Sequence, residues 1–176
     1  MNRMIRVLGL ALIFSLITLP PAFAQSEADV QAARERFEEG DPGMQGWFRD
    51  AYAYAVFPNV GKGGFGIGGA HGKGLVYEQG KLVGKSSLIQ VTVGFQFGGQ
   101  AFSEVIFFKN KIAFDHFTQE NFEFGAQVSA VALSAGVSAD LAYSGGVAVV
   151  TATKGGLMYE ASIGGQKFTY TKIEER

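Results

Sequence analysis

The chain contains no cysteine, so neither a disulfide framework nor thiolate chemistry is available to it. Its two histidines, His71 and His116, are not in H-x-x-x-H spacing, and without cysteines beside them a transition-metal site lacks ligands. Proline is scarce, at 4 residues, while glycine is abundant at 25 of 176. The glycines keep no G-x-y period, which excludes collagen and a proline-rich linker. No sign of charge dominates: 15 lysines and arginines face 16 acids, for a net charge of -1. A nucleic-acid binder needs a clear Lys/Arg excess to neutralise phosphates, so that class is excluded.

What is present is apolar and aromatic. Apolar residues make up 47% of the chain and charged residues 18%, a balance that fits neither a disordered tail nor a polytopic membrane protein. Sixteen Phe, six Tyr and one Trp suffice to fill the core of one compact domain.

The first 24 residues read as a secretory signal peptide. Arg3 and Arg6 form a positive start, Val7–Leu19 is apolar but short for a bilayer span, and Pro20-Pro21 precedes Ala22-Phe23-Ala24, a small-residue cleavage signal before Gln25. No cysteine follows to take a lipid anchor. The expectation is an exported protein, soluble or peripheral to the membrane, in the periplasm or cell envelope. An acidic leader, 25–50, carries seven acids against three arginines. Ala51–Thr171 is nearly neutral, with eight lysines as its cations, and a polar tail, 172–176, closes the chain.

Ala28, Val30, Ala33 and Phe37 recur at helical spacing until Gly40-Asp41-Pro42-Gly43, predicting a short surface helix. Trp47, Phe48, Ala51, Tyr52, Ala55 and Val56 predict a second, aromatic-rich helix over Gln45–Val56. After Pro58 the period becomes two. In Leu88–Gly98, Ile89, Val91, Val93, Phe95 and Phe97 alternate with Gln90, Thr92, Gly94, Gln96 and Gly98, which places the apolar set in a core. Similar alternation marks Phe122–Ala130, Val147–Thr151, Leu157–Ile163 and Phe168–Tyr170, while Lys111–Gln119 is either a short helix or a turn. So many glycines within strands require curvature, bulges or a backbone face kept clear. The expected fold is α+β, mainly β: N-terminal helices followed by a strongly curved, glycine-rich antiparallel sheet or small barrel.

Tests for catalytic chemistry fail. Gly64-Phe65-Gly66-Ile67-Gly68-Gly69 matches G-x-G-x-x-G, but the glycines after it cannot open a helix, and neither Gly72-Lys73-Gly74 nor Gly84-Lys85-Ser86 completes a phosphate loop. Ser103, Glu104 and His116 assemble a nucleophile and base only on paper, without a G-x-S-x-G elbow. No enzyme, cofactor or nucleotide is expected. Gly61–Gly74, with Lys62 and Lys73, offers either a nest of backbone donors for an anionic head group or a curved hairpin with solvated lysines. Trp47, Phe48 and Tyr52 suit either the acyl boundary of a membrane or packing against the sheet.

Ala55-Val56-Phe57-Pro58, Gly61-Lys62-Gly63-Gly64-Phe65-Gly66, Gly72-Lys73-Gly74, Gln96-Phe97-Gly98-Gly99-Gln100, Ser103-Glu104-Val105-Ile106, Gly155-Gly156-Leu157 and Gly164-Gly165-Gln166 together resemble the SYLF-domain family of lipid-binding proteins. The resemblance runs from about Ala51 to Tyr170. It implies phospholipid or phosphoinositide binding by the domain 51–171. Actin, a partner of fungal members, is not expected for an exported single domain. The family supplies no catalytic set, so contact residues follow from physical chemistry. Lys62 and Lys73 with Gly63, Gly64 and Gly72 are the head-group candidates, Lys81, Lys85 and Lys154 are secondary ones, and Trp47, Phe48 and Tyr52 are candidates for the acyl boundary. The alternatives are an envelope scaffold that binds another protein, and a small outer-membrane β-barrel.

Overall fold

The computed structural model describes residues 26–65, 67–93, 100–119, 122–124, 128–154 and 165–174. The proposed signal peptide, the strand expected over Leu157–Ile163 and the aromatic end of the Leu88–Gly98 alternation lie outside them.

Helix α1 spans Glu27–Gly40 and starts on a capping box, in which the Asp29 amide donates to Ser26 Oγ and the Ser26 amide to the Asp29 carboxylate, each at 3.2 Å. Its stripe of Val30, Ala33 and Phe37 is buried. Asp41 then joins three segments: its carboxylate accepts from the Gly43 amide at 3.0 Å and from the Ser138 amide at 2.7 Å. Those amides place helix α2, Met44–Asp50, beside a single-turn helix near the C-terminal half, Val137–Asp140.

The expected helix over Gln45–Val56 is corrected here, because α2 ends at Asp50 and strand β1 begins at Ala53 and runs to Phe65. Ala53–Phe57 are all buried, since both faces of this central strand are covered. A continuous apolar run of that kind carries no period of two and mimics a helix stripe.

Strand β2 is Ile67–Glu78, β3 is Lys81–Val93 and β4 is Gln100–Phe108. Gln79 and Gly80, both with positive φ, turn β2 into β3. Lys111–Phe117 is helix α3, capped by Asn110, whose side chain accepts from the Ala113 amide at 3.0 Å. Short strands β5 (Phe122–Glu123) and β6 (Ala130–Ala132) precede α4 (Val137–Asp140), β7 (Val147–Thr153) and β8 (Gln166–Lys172). They form one sheet in the order β5-β8-β3-β2-β1-β4-β7-β6, antiparallel at every pairing except β6 with β7. The mainly-β α+β expectation holds, with a mixed rather than purely antiparallel sheet.

Both faces of the sheet are apolar near its middle. One carries Ala55, Phe57, Leu88, Phe102, Ile106 and Phe168 and is covered by Phe114 and Phe117 of α3. The other carries Tyr54, Val56, Leu75, Val105 and Phe107 and is covered by α1, α2 and α4. The first face is concave. Gln166 on β8 and Glu104 on β4 have three strands between them, about 19 Å across a flat sheet, yet their side chains are hydrogen-bonded at 3.0 Å. The sheet therefore curls into a half-barrel, with β5 and β6 at its edges among the described strands. Its helix-covered outer face differs from the continuous lipid-facing band of a transmembrane barrel.

Candidate functional site

Beyond an irregularity at Phe57–Asn59, the β1-β2-β3 ribbon runs on past the helices that cover the convex face. Register assigns each side chain to a face. Asn59 pairs with Lys73 and Lys73 with Ser87; Gly61 pairs with His71, His71 with Ile89 and Ile89 with Lys167; Gly63 pairs with Gly69 and Gly69 with Val91. These rows alternate with the buried row Val60, Gly72, Leu88 and Phe168, so they lie on the convex side. There Ile89 is 51% and Val91 69% exposed, against 3% for Gln90 between them.

The alternation in β3 is thus inverted at this end: the β-branched apolar residues face out and the amide faces in. The cause is the concave interior, where Gln90 joins Gln166 and Glu104 while Leu88 holds the apolar row. Flipping the strand to bury Ile89 and Val91 would expel Leu88, which is fully buried. Lys73, Lys85, Lys167 and His71 share the exposed convex side with Ile89 and Val91. The carboxylate of Glu123 lies 3.8 Å from Lys167 Nζ. Gly61 and Gly63 have open space where a side chain would stand, which leaves the surface there flat.

The head-group candidates do not converge on one spot. Lys62 is half-buried on the concave side, opposite Lys73. Gly63 and Gly64 pair with Gly69 and Gly68 in the ladder of an antiparallel hairpin, so this stretch forms strands and not a nest. Gly72 answers to packing: a Cβ there would stand 2.8 Å from Val60 Cγ2. Lys85 joins Lys73 on the convex face, whereas Lys81 lies at the opposite end of the strands, in the β2-β3 turn. Lys154 donates to Asn59 Oδ1, and partial burial, reinforced by Arg36, lowers its pKa.

The aromatic candidates are divided in the same way. Phe48 is buried, with its ring 5.0 Å from that of Phe107. Trp47 packs on Tyr143 at 4.9 Å and donates from Nε1 to the Ser138 carbonyl at 3.1 Å. Tyr52 lies outside the helix, on the concave side, and donates to Glu78 Oε1 at 2.5 Å, a bond that with burial pushes its pKa up to about 12. The paper triad also separates. Ser103 donates to the Pro58 carbonyl at 2.8 Å and accepts from Arg36 at 3.0 Å on the convex side, while His116 sits on α3 against the concave one.

Sequence reasoning missed Ile89, Val91 and Lys167 as surface residues because alternation states that two faces differ, not which one is buried. It also read Glu104 as part of a motif without a role. The structure encloses Glu104 completely, and burial pushes its pKa up to about 7 against the opposing hydrogen bond from Gln166.

Comparison with known proteins adds two findings. The family model Ysc84, described as "Las17-binding protein actin regulator", matches residues 89–175. Beta cell expansion factor A of Aeromonas veronii is 28% identical over 128 residues, 71% of this chain and 48% of that protein. The chain thus spans about half the length of that curated relative.

Proposed function

We propose, from the match of residues 89–175 to the Ysc84 family model together with the resemblance to SYLF domains, that the chain is a non-enzymatic phospholipid-binding domain exported to the cell envelope. The observation that carries this reading is the pair Ile89 and Val91, exposed on the convex end of the ribbon among Lys73, Lys85, Lys167 and His71.

The chemistry suits an anionic bilayer surface. Each lysine near such a surface contributes about 1 kcal/mol. Removing an exposed Ile or Val side chain from water contributes about 1.5–3 kcal/mol. The acids of α1, which covers the neighbouring part of the same face, disfavour contact of that part with an anionic surface. In this reading the ribbon lies on head groups with its two apolar side chains at the acyl boundary, a role the sequence alone gave to Trp47, Phe48 and Tyr52.

Flotation on zwitterionic and anionic vesicles at low and high salt tests the proposal, because salt screens the lysines and not the apolar contact. Ile89→Asp with Val91→Asp should abolish the salt-resistant part, and Lys73→Ala with Lys167→Ala the salt-sensitive part. Full binding by both double variants would overturn it. Binding to an envelope protein without vesicle binding would favour a scaffold, and cosedimentation with filamentous actin is the control for the actin regulation in the family's description.

A further inference from the structure

The concave interior holds an acid that the lipid reading does not use. Glu104 on β4, Thr151 on β7 and Gln166 on β8 are 0%, 2% and 0% exposed. Glu104 and Thr151 are direct cross-strand partners. Gln166 Nε2 reaches Glu104 Oε2 from the far arm of the curl. Glu104 Oε1, Gln166 Oε1 and Thr151 Oγ1 have no hydrogen-bond partner among the described residues.

We propose that Glu104 is a proton-operated latch: as a neutral acid it ties β4 to β8 across the concave side, and on losing its proton it lets those two strands part.

Donor counting supports the neutral form. With Glu104 ionised, both carboxylate oxygens and the Gln166 carbonyl are acceptors, and neither Glu104 Oε1 nor Gln166 Oε1 is met by a donor among the described residues. A proton on Glu104 adds a donor among these acceptors, so that one hydrogen bond can join Glu104 to Thr151 or Gln166.

Among the described residues no opposite charge lies beside Glu104 to offset its ionisation. The described ionisable groups sharing its face are Lys62 on β1, Tyr170 and Lys172 on β8 and, towards the other end of the strands, Tyr52 hydrogen-bonded to Glu78. Lys62 pairs with Gln100, four residues along β4 from Glu104, and the Tyr170 hydroxyl donates to the Val83 carbonyl. The concave positions of β2, β3 and β7 around it, Ala70, Gly72, Ser86, Leu88, Gln90 and Val149, carry no charge. Helix α3 turns Ala113, Phe114 and Phe117 inward and leaves Lys111, Asp115 and His116 exposed. β5 leaves Glu123 exposed near Lys167, and β6 contributes Ala130.

The direction of the switch follows from burial, which raises the folded-state pKa of Glu104 from 4.5 to about 7. The folded chain holds a proton that the unfolded chain releases, so the latch is firmest below about 4.5, weakens as pH rises and is open above about 7. Opening would give access to the phenylalanine lining, Phe57, Phe102 and Phe168.

Infrared titration of the whole protein, with hydrogen exchange of β8 amides corrected for intrinsic base catalysis, tests this. A protonated carboxyl band should persist after the exposed acids have ionised and vanish near neutral pH. Between about 4.5 and that midpoint β8 exchange should accelerate by about tenfold per pH unit beyond the intrinsic rate, and above the midpoint the excess should level off. Glu104→Gln, which keeps a neutral hydrogen-bonding group, should remove the acceleration. Loss of the band together with the ordinary carboxyls, or the same excess exchange in Glu104→Gln, would overturn the proposal. If that variant does not fold, the infrared midpoint of the unaltered protein decides alone.

Discussion

Gln166 and Glu104 meet at 3.0 Å from strands that have three others between them, and this bond measures how far the sheet is curled. Around it Phe168 packs on Phe57 at 5.6 Å and on Phe117 at 5.5 Å, so the polar contact stands beside an aromatic one from the same strand. The tie is short-range chemistry reporting a long-range shape.

Truncating the donor should expose its contribution. Gln166→Ala leaves both Glu104 oxygens unpaired and should cost about 1–3 kcal/mol in denaturant unfolding. The Gln166 hydrogen bond lowers the Glu104 pKa, so its removal raises that pKa further. The loss should accordingly be larger at pH 8 than at pH 5. An equal loss at both would place Glu104 in one protonation state throughout.

The stability profile against pH should peak on the acid side of neutrality. Amides of Ser138 and Gly43 hold the Asp41 carboxyl below the usual carboxylate range, so its contribution is present above the unfolded value of 3.8 and is lost as pH falls below it. Glu104 acts with the opposite sign, losing on the order of 3 kcal/mol between 4.5 and about 7. Thermal melts should be highest near pH 5; Asp41→Asn should flatten the acid limb and Glu104→Gln the neutral one.

Two glycines should respond in opposite ways. A Cβ at Gly74 would stand 2.5 Å from the Val56 carbonyl oxygen and 2.8 Å from the Phe57 ring, so Gly74→Ala should destabilise by about 1–3 kcal/mol. Gly63 has open space at the same point, and Gly63→Ala should be neutral or gain up to about 1 kcal/mol in chemical denaturation.

The single tryptophan separates packing from membrane contact. Trp47 lies against Tyr143 and Phe107 and donates to Ser138, so Trp47→Ala should cost about 3 kcal/mol. In the intact protein its fluorescence maximum should stay fixed when vesicles are added. A blue shift on binding would return the acyl boundary to α2.

The helices were legible because their signals are local. Ser26, Asp29 and the Val30-Ala33-Phe37 stripe specify α1, and Asn110 caps α3 over a stretch that sequence left between helix and turn. The end of α2 was not legible, because Ala53–Phe57 is buried on both faces and its apolar run has no strand period. Nor was the division of Lys62 from Lys73, which depends on a shift in register at Asn59.

Sequence by itself determined the class of molecule: a cysteine-free, nearly neutral, aromatic and glycine-rich β domain with a capped helix before it, offering no catalytic constellation. Composition and short-range spacing suffice for that, since each reports propensity, turn chemistry or the existence of two unlike faces. Which face is inside was decided only by the tertiary structure. Curling brings β4 and β8 together, seats Glu104, Gln90 and Gln166 within and turns Ile89 and Val91 out to solvent. Burial belongs to the closed sheet and not to a strand, so no period of two along β3 can encode it.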